Sequence, residues 1–424
     1  MRVTVIGAGY VGLVQSAGLT HLGHSVRLGE ASHDRIADLE RGRLPIYEPG
    51  LLEIFERARA HGLISFHSDN HEAVAGAEVV FLALPTPPDG DGRADLSIIE
   101  SVVRDLAPSL TPSMILAVKS TVPVGTNARL RQILDEAGCL ASVVSNPEFL
   151  SEGSAVDDFI KAERIIIGAD HPADADVLRR LYEGLQATLV FTDPISAELT
   201  KYAANAYLAT RLTFFNSISN LSEEVGADVV DVLRGVGLDR RIGEHFMRPG
   251  PGYGGSCCPK DTAAMLTMAA DAGYDFHMLR AVIETDRLQR TRIADRIEAI
   301  FDGSLYGVAV GVWGVSFKAG TDDTRESPAL VIAGELAQRG ASIRVWDPEA
   351  DTDEFPMATG PLDVVDDADL LLVATEWPEF LRVDLSEVAK RMRGDTVFDA
   401  RNHLDPTVVR SAGLDYHCLG RPRV

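Results

Sequence analysis

The amino terminus confines this chain more tightly than any other stretch of it. An apolar run, Val3-Thr4-Val5-Ile6, leads directly into Gly7-Ala8-Gly9-Tyr10-Val11-Gly12, and a helical pattern follows. Strand, glycine turn and helix in that order make the first unit of a doubly wound parallel sheet. The glycines have separate tasks there: a tight turn, close approach of backbone to a pyrophosphate, and close helix packing, while the helix amino terminus supplies an anion site. A glycine triplet without flanks is not specific. Here the flanks are right, and Glu30 ends the next strand-like run eighteen residues past Gly12, placed to accept from a ribose 2′-hydroxyl. That carboxylate would repel a 2′-phosphate, which favours NAD over NADP, although Arg27 and Arg35 lie close in sequence and weaken the preference. The other reading of Glu30 is a solvated charge at a strand end.

The same alternation continues, with VTVIGAG, SVRLGE, EVVFLAL, MILAVKS, ASVVSNPEF and RIIIGAD as strands. From Ser196 to about Gly226 the chain lacks internal Gly and Pro and repeats apolar residues at helical spacing, so one helix of roughly 45 Å is expected. A second α/β rhythm begins near Leu305, with VAVGVWG, ASIRVWD, DLLLVAT and DTVFDAR, and its opening repeats the order of elements at the amino terminus. The expected fold is α/β: two Rossmann-like doubly wound parallel-sheet domains joined by a helical middle with one long central helix. The divisions expected are 1–195, 196–300 and 301–424.

Bulk properties exclude several functions. Lys+Arg of 40 against Asp+Glu of 63 gives a net charge of −23, which repels nucleic-acid backbones and anionic lipid. No apolar run is long enough to span a bilayer, and MRVTVIGAGYVG enters the strand pattern without the layout of a secretory signal. Cys139, Cys257, Cys258 and Cys418 match neither a disulfide framework nor a zinc site, so reduced thiols in a cytoplasm and no metal are expected. A small anionic ligand then needs a local cationic pocket. After its first strand the second α/β segment reads Gly314-Val315-Ser316-Phe317-Lys318-Ala319-Gly320-Thr321-Asp322-Asp323-Thr324-Arg325, where Lys318 and Arg325 suit phosphate oxygens or are surface charges in an acidic loop.

The chemistry concentrates in Gly254-Gly255-Ser256-Cys257-Cys258-Pro259-Lys260-Asp261. Glycines let backbone approach a substrate, and a nearby cation favours the thiolate, so a nucleophile fits here; two vicinal thiols in a polar glycine loop fit a buried structural role poorly. On the long helix Glu198, Lys201 and Asn205 share one face, which sets a cation and an amide side by side, as a developing oxyanion requires. A solvated Glu/Lys pair is the alternative. Two loops, Ser120 to Thr126 and Asn146 to Gly153, follow strands of the first sheet, where open α/β sheets bind ligands.

These residues resemble the UDP-glucose/GDP-mannose dehydrogenase family, essentially from end to end. The matching segments, in the family's order, are GxGYVGL, PIYEPGL (Pro45 to Leu51), DGRADLS (Asp91 to Ser97), STVPVGT, NPEFLSEG, ELTKYAANAYLATR, GYGGSCCPKD, FKAGTDDTRESPA and ATEWPEF (Ala374 to Phe380). The last is more similar to the UDP-glucose branch than to the GDP-mannose branch. The resemblance implies Cys257 as nucleophile, Lys201 and Asn205 at the oxyanion, Asp261 and Thr121 as handlers of water, and Glu148 and Glu152 at the sugar and in thioester hydrolysis. It implies cofactor contacts from Gly7, Gly9, Tyr10, Val11, Gly12, Glu30, Arg35, Pro85, Thr86, Ser120, Thr121, Glu152, Lys260 and Arg325. For the nucleotide sugar it implies Glu148, Phe149, Leu150, Lys201, Asn205, Tyr253, Gly254, Cys257, Phe317, Lys318 and Arg401, with Arg241 reaching across the interface of a homodimer. The chain departs from the family pattern at Cys258, Ser151, Ala162 and Pro85, and Cys258 leaves a vicinal disulfide with Cys257 open.

The implied reaction is a four-electron oxidation of a primary alcohol to a carboxylate through a Cys257 thioester, using two NAD per sugar. UDP-glucose is the favoured substrate; dTDP-glucose, a UDP-N-acetylhexosamine and GDP-mannose need only changes in the base and sugar pockets. Two rivals remain: a dehydrogenase with one hydride step, which gives Cys257 no task, and a protein that binds both nucleotides without turnover.

Overall fold

The computed structural model describes residues 1–90 and 92–422, so Asp91 of the DGRADLS segment lies outside the described residues. The chain forms two compact units, Met1–Ala204 with Ala263–Gly273, and Asn205–Thr262 with Tyr274–Val424.

The first unit is built on eight strands: β1 (Arg2–Ile6), β2 (Ser25–Gly29), β3 (Ile64–His67), β4 (Val79–Leu82), β5 (Ile115–Val118), β6 (Ser142–Ser145), β7 (Arg164–Gly168) and β8 (Thr188–Thr192). Their order is β3-β2-β1-β4-β5-β6-β7-β8. The first six are parallel, and the order reverses direction at β1, with β2 on one side and β4 on the other. Ligands of open α/β sheets bind at such a switch point. Val3 and Val5 face one core, which includes Leu13, Val14 and Phe55. Ile6 faces the other, with Val80, Leu130 and Ile133. Both faces are covered, so β4 and β5 read as unbroken apolar runs with every residue buried.

The expected doubly wound parallel sheet is present, and it departs from parallel only at its far edge. β7 pairs antiparallel with β6, Ser145 opposite Gly168, and β8 runs parallel to β7. Between β6 and β7 the chain spends Asn146 to Ser154 in a loop without regular structure and makes only the short helix Ala155–Ile160 before it re-enters the sheet. β3 and β8 are absent from the expected strands: β3 mixes polar and apolar residues, and β8 is an edge with Val190 and Phe191 exposed.

The second unit carries β9 (Ala309–Trp313), β10 (Ser342–Trp346), β11 (Leu370–Val373), β12 (Thr396–Asp399) and β13 (Asp415–Cys418), in the order β10-β9-β11-β12-β13 and all parallel. Apolar cores again lie on both faces. The internal repeat extends to the turns. β1 is followed by Gly7 and β9 by Gly314, both at positive φ (104° and 92°) where a side chain is strained. An acid at the end of the neighbouring strand holds each turn: Glu30 accepts from the Ala8 N–H at 3.0 Å, and Asp347 from the Val315 and Ser316 N–H groups at 2.8 and 3.0 Å.

The long helix spans Pro194–Val225, 32 residues, close to its expected limits. Helices Val229–Gly237, Cys258–Asp271 and His277–Ile300 follow it. Among the described residues no helix is long and apolar enough to cross a membrane.

Candidate active site

In the first unit the glycine turn after β1 is packed where a side chain would be fatal and open where a ligand must enter. A Cβ on Gly7 would sit 2.4 Å from the Ala83 carbonyl oxygen, and one on Gly12 would sit 1.8 Å from that of Gly7. Gly9 has nothing within 4 Å and caps the helix Tyr10–His21 without any side-chain hydrogen bond. A free helix N-terminus beneath an open glycine is the cradle a pyrophosphate requires, so these residues fit a dinucleotide. Glu30 lies beside this turn and accepts from Ser32 N–H at 3.0 Å and Arg35 at 3.4 Å. The half-buried Val11 packs into the adjoining core. At the carboxyl ends of β4 and β5, Pro85 is exposed and Thr86 buried. Thr86 Oγ1 donates to the Thr121 carbonyl at 2.9 Å, and Ser120 Oγ accepts from Leu84 N–H at 2.8 Å, stitching the two loops together.

Tyr10 donates its hydroxyl to Glu48, a buried carboxylate of the PIYEPGL segment. Glu48 also accepts from the Gly153 and Ala155 N–H groups at 2.6 and 2.7 Å, so it ties the glycine turn to the end of the NPEFLSEG loop. Burial, then Glu48, and then the charge of Glu152 hold the Tyr10 phenol far above its ordinary value. Glu48 is absent from the expected site, although it sits inside one of the quoted segments.

The helix face of Glu198, Lys201 and Asn205 is buried, with exposures of 3%, 3% and 8%, which removes the solvated-pair reading. Glu198 accepts from the Gly125 and Asn127 N–H groups, both at 2.7 Å, at the start of the helix Thr126–Glu136, and burial pushes its carboxyl up to about 7. Lys201 pairs with Glu148 at 2.8 Å. Burial pushes the Glu148 carboxyl up, but Lys201, the Leu150 N–H at 2.6 Å and Lys119 outweigh it and hold it below the ordinary carboxylate value. The Phe149 ring lies 5.5 Å from Lys201 Nζ and 4.2 Å from the Arg164 guanidinium. Lys119 is another residue that sequence reasoning missed. It is 6% exposed and reaches Asn146 Oδ1 at 3.3 Å and the Pro147 carbonyl at 3.4 Å; burial lowers its ammonium to about 8. Its one sequence signal is a lysine ending the apolar run MILAV.

In the second unit Cys257 caps the helix Cys258–Asp271: its carbonyl accepts the Asp261 N–H at 2.8 Å. The residue thus stands at a helix N-terminus, where the partial positive charge of the backbone N–H groups is concentrated. Cys257 and Cys258 are half-buried and not joined in a disulfide, and Ser256 Oγ lies 3.5 Å from Cys257 Sγ. Asp261 is fully buried and accepts from Asn205 Nδ2 and from Lys260 Nζ, each at 2.6 Å. The glycines of this loop lie against the segment that follows β9. A Cβ on Gly254 would meet the Glu326 carbonyl at 2.4 Å, one on Gly255 would meet the Phe317 ring at 2.8 Å, and the Gly255 N–H donates to the Arg325 carbonyl at 3.0 Å.

Arg401 donates to the carbonyls of Phe317 (2.8 Å) and Ala374 (2.9 Å), and a Cβ on Gly250 would lie 3.2 Å from it. Lys318 Nζ lies 5.5 Å from the Phe317 ring. The second unit thus gathers Gly254, Cys257, Phe317, Lys318 and Arg401 around one loop, with Tyr253 at its base. The Arg325 side chain is exposed and paired with Asp323 at 2.7 Å. The Arg241 side chain is exposed and paired to Asp239 at 2.6 Å.

Residues 1–186 match the NAD binding domain of the UDP-glucose/GDP-mannose dehydrogenase family, 195–287 its central domain and 311–406 its UDP binding domain. A UDP-glucose 6-dehydrogenase of Pseudomonas aeruginosa is 40% identical over all of this chain and 98% of its own length. Among solved structures, a UDP-glucose dehydrogenase from Pyrobaculum islandicum is 36% identical with a TM-score of 0.91, over 99% of this chain and 98% of that one. A UDP-D-ManNAc dehydrogenase from Pyrococcus horikoshii is 26% identical with a TM-score of 0.89, over all of both chains. With matches to all three of its domains, this chain belongs to the UDP-glucose/GDP-mannose dehydrogenase family and is an NAD-dependent nucleotide-sugar dehydrogenase.

Proposed function

We propose that the chain oxidises UDP-glucose to UDP-glucuronate through a thioester on Cys257. The observation that carries this reading is a half-buried thiol capping a helix, one turn before a buried aspartate bonded to both an amide and an ammonium. The full-length likeness to UDP-glucose 6-dehydrogenases supports the choice of sugar nucleotide. In this reading residues 1–195 hold the cofactor, 301–424 hold the nucleotide sugar, and 196–300 supply the nucleophile.

NAD, when bound, accepts one hydride in each of two oxidations. In the first, the C6 hydroxyl loses its proton to water handled by Asp261 and Thr121, and C6 becomes an aldehyde. The Cys257 thiolate then adds to that carbon, and Lys201 and Asn205, one helical turn apart, neutralise the oxygen that gains charge. Loss of the second hydride leaves a thioester. Water, activated by Glu148 or Glu152, cleaves the C–S bond to give the carboxylate and return the thiolate. The balance is one alcohol, one water and two NAD⁺ to one carboxylate, two NADH and three protons. Covalent capture retains the aldehyde.

The second unit also carries an exposed apolar series, Tyr207, Phe214 and Leu221 at seven-residue spacing, followed by Val225. A seam of this kind suits a second copy of the chain, and a homodimer would let Arg241 serve the partner's nucleotide sugar.

Counting NADH per UDP-glucose tests the scheme. Two are expected, together with loss of sugar-acid release in Cys257→Ser; one NADH, or undiminished release, overturns the thioester. The structural likeness to a UDP-D-ManNAc dehydrogenase makes a UDP-N-acetylhexosamine the second substrate to assay.

A further inference from the structure

The loop that delivers Cys257 is gripped by its backbone at two places. At Gly250 the N–H donates to Asn216 Oδ1 at 2.8 Å, and the carbonyl accepts from Gln289 Nε2 at 3.1 Å. At Tyr253 the N–H donates to Asp286 Oδ1 at 2.9 Å, and the carbonyl accepts from Arg290 Nη2 at 2.7 Å. Arg290 closes the arrangement by pairing with Asp286 at 2.8 Å. Asp286 and Gln289 are buried positions of the helix His277–Ile300 and Arg290 follows at its margin, with the Asp286 and Arg290 side chains 3% and 12% exposed.

Gly252 explains how the chain comes so near. Its φ is +115°, and a Cβ there would lie 2.7 Å from Asp286 Oδ1, so only glycine lets the backbone pass over the carboxylate. The Tyr253 ring packs among Ala209, Val282 and Cys258, so this residue is held at its N–H, its carbonyl and its ring. From there the chain reaches Cys257 through Gly254, Gly255 and Ser256.

We infer that Asp286 and Arg290 are positioning residues that set the placement of the Cys257 thiol by clamping the Tyr253 peptide. An Asp/Arg pair four residues apart on a helix is ordinarily a solvated pair of small worth. This one is buried and spends its hydrogen bonds on the backbone of another segment. Burial pushes the Asp286 carboxyl up to about 6, with Arg290 and the Tyr253 N–H pulling it back, so the carboxylate form prevails at pH 8. The titratable group of another element facing Asp286 is the Tyr253 phenol, itself pushed up to about 12 by burial and then by the Asp286 charge.

The inference rests on Cys257 as the nucleophile, and the test separates the two. At pH 8, Asp286→Ala is expected to lower kcat about 10- to 100-fold, the scale of a misplaced reacting group, and to leave KM for NAD within about twofold. Amide exchange in the Tyr253–Cys257 segment should rise, and alkylation of Cys257 by iodoacetamide should change in rate. Asp286→Asn, which retains an oxygen for the Tyr253 N–H, should recover most of kcat. Should Asp286→Ala fail to fold, Arg290→Lys carries the same readouts. Unchanged kcat and exchange overturn the clamp, as does a loss that Asn fails to rescue. Turnover by Cys257→Ser overturns the nucleophile but not a clamp seen by exchange.

Discussion

Replacing Lys201 by Met should cost the first unit several kcal/mol, and most of that loss should return when Glu148 is neutralised as well. The two side chains are 4% and 5% exposed and 2.8 Å apart. Unit charges at 4 Å attract by about 4 kcal/mol at an effective dielectric constant near 20, and most of that is offset by the cost of taking both out of water. Removing one partner restores the desolvation cost without its return, typically about 3–5 kcal/mol. Lys119 stays near the orphaned carboxylate, so the low end, about 3 kcal/mol, is expected; at about 2–4 °C per kcal/mol this is a fall of roughly 6–12 °C in that unit's transition. Glu148→Gln retains an oxygen for the Leu150 N–H. The double variant should therefore show a coupling energy of about 2 kcal/mol or more, measured by calorimetry on the two single variants, the double variant and the parent. The Glu148 carboxyl lies below its ordinary value of 4.5 in the folded chain. Its contribution is thus present above pH 4.5 and lost as pH falls further, and the gap between parent and Glu148→Gln should narrow below that point. Strictly additive losses in the double variant would refute the pairing as an energetic unit.

Lys119→Met should stabilise the protein at pH 7 even though it removes a lysine beside the proposed site. Burial lowers that ammonium from 10.5 to about 8, so the folded chain sheds the proton before the unfolded chain does. The charged form then carries a cost of up to about 3 kcal/mol below pH 8, which disappears as pH rises to 10.5. Denaturation at pH 7 and pH 10.5 checks this, and a destabilisation that does not vary with pH contradicts it. Phe214→Asp should convert the proposed dimer to a monomer in sedimentation, since a carboxylate would be buried at the centre of the apolar seam; a dimer that persists places the interface elsewhere.

What could be read from the sequence and what could not divide along one physical line. Cys257 and the turn Gly7 to Gly12 were legible because their residue types are costly in any other role: a thiol in a polar glycine loop and glycines where a Cβ would strike a carbonyl. The internal repeat was legible because two buried parallel sheets demand the same apolar runs, and its turns proved to match down to the acids Glu30 and Asp347. The direction of β7 was not legible, since RIIIG buries equally well either way and only the loop before it decides from which edge the chain re-enters. Lys201 and Asn205 were placed on one face by spacing, yet their partners were not. Glu148 follows another strand, and Asp261 lies 56 residues from Asn205. The supporting residues Glu48, Lys119, Asp286 and Arg290 were missed for a related reason. Acids and bases on helices and strand ends are what any solvated surface is made of, and an i,i+4 Asp/Arg spacing encodes a surface pair and a buried clamp equally. The variable that separates the two is burial, which tertiary packing sets. Groups that react are therefore the easiest to read, because their chemistry is rare, and groups that hold them are the hardest, because their chemistry is common and only their dryness is unusual.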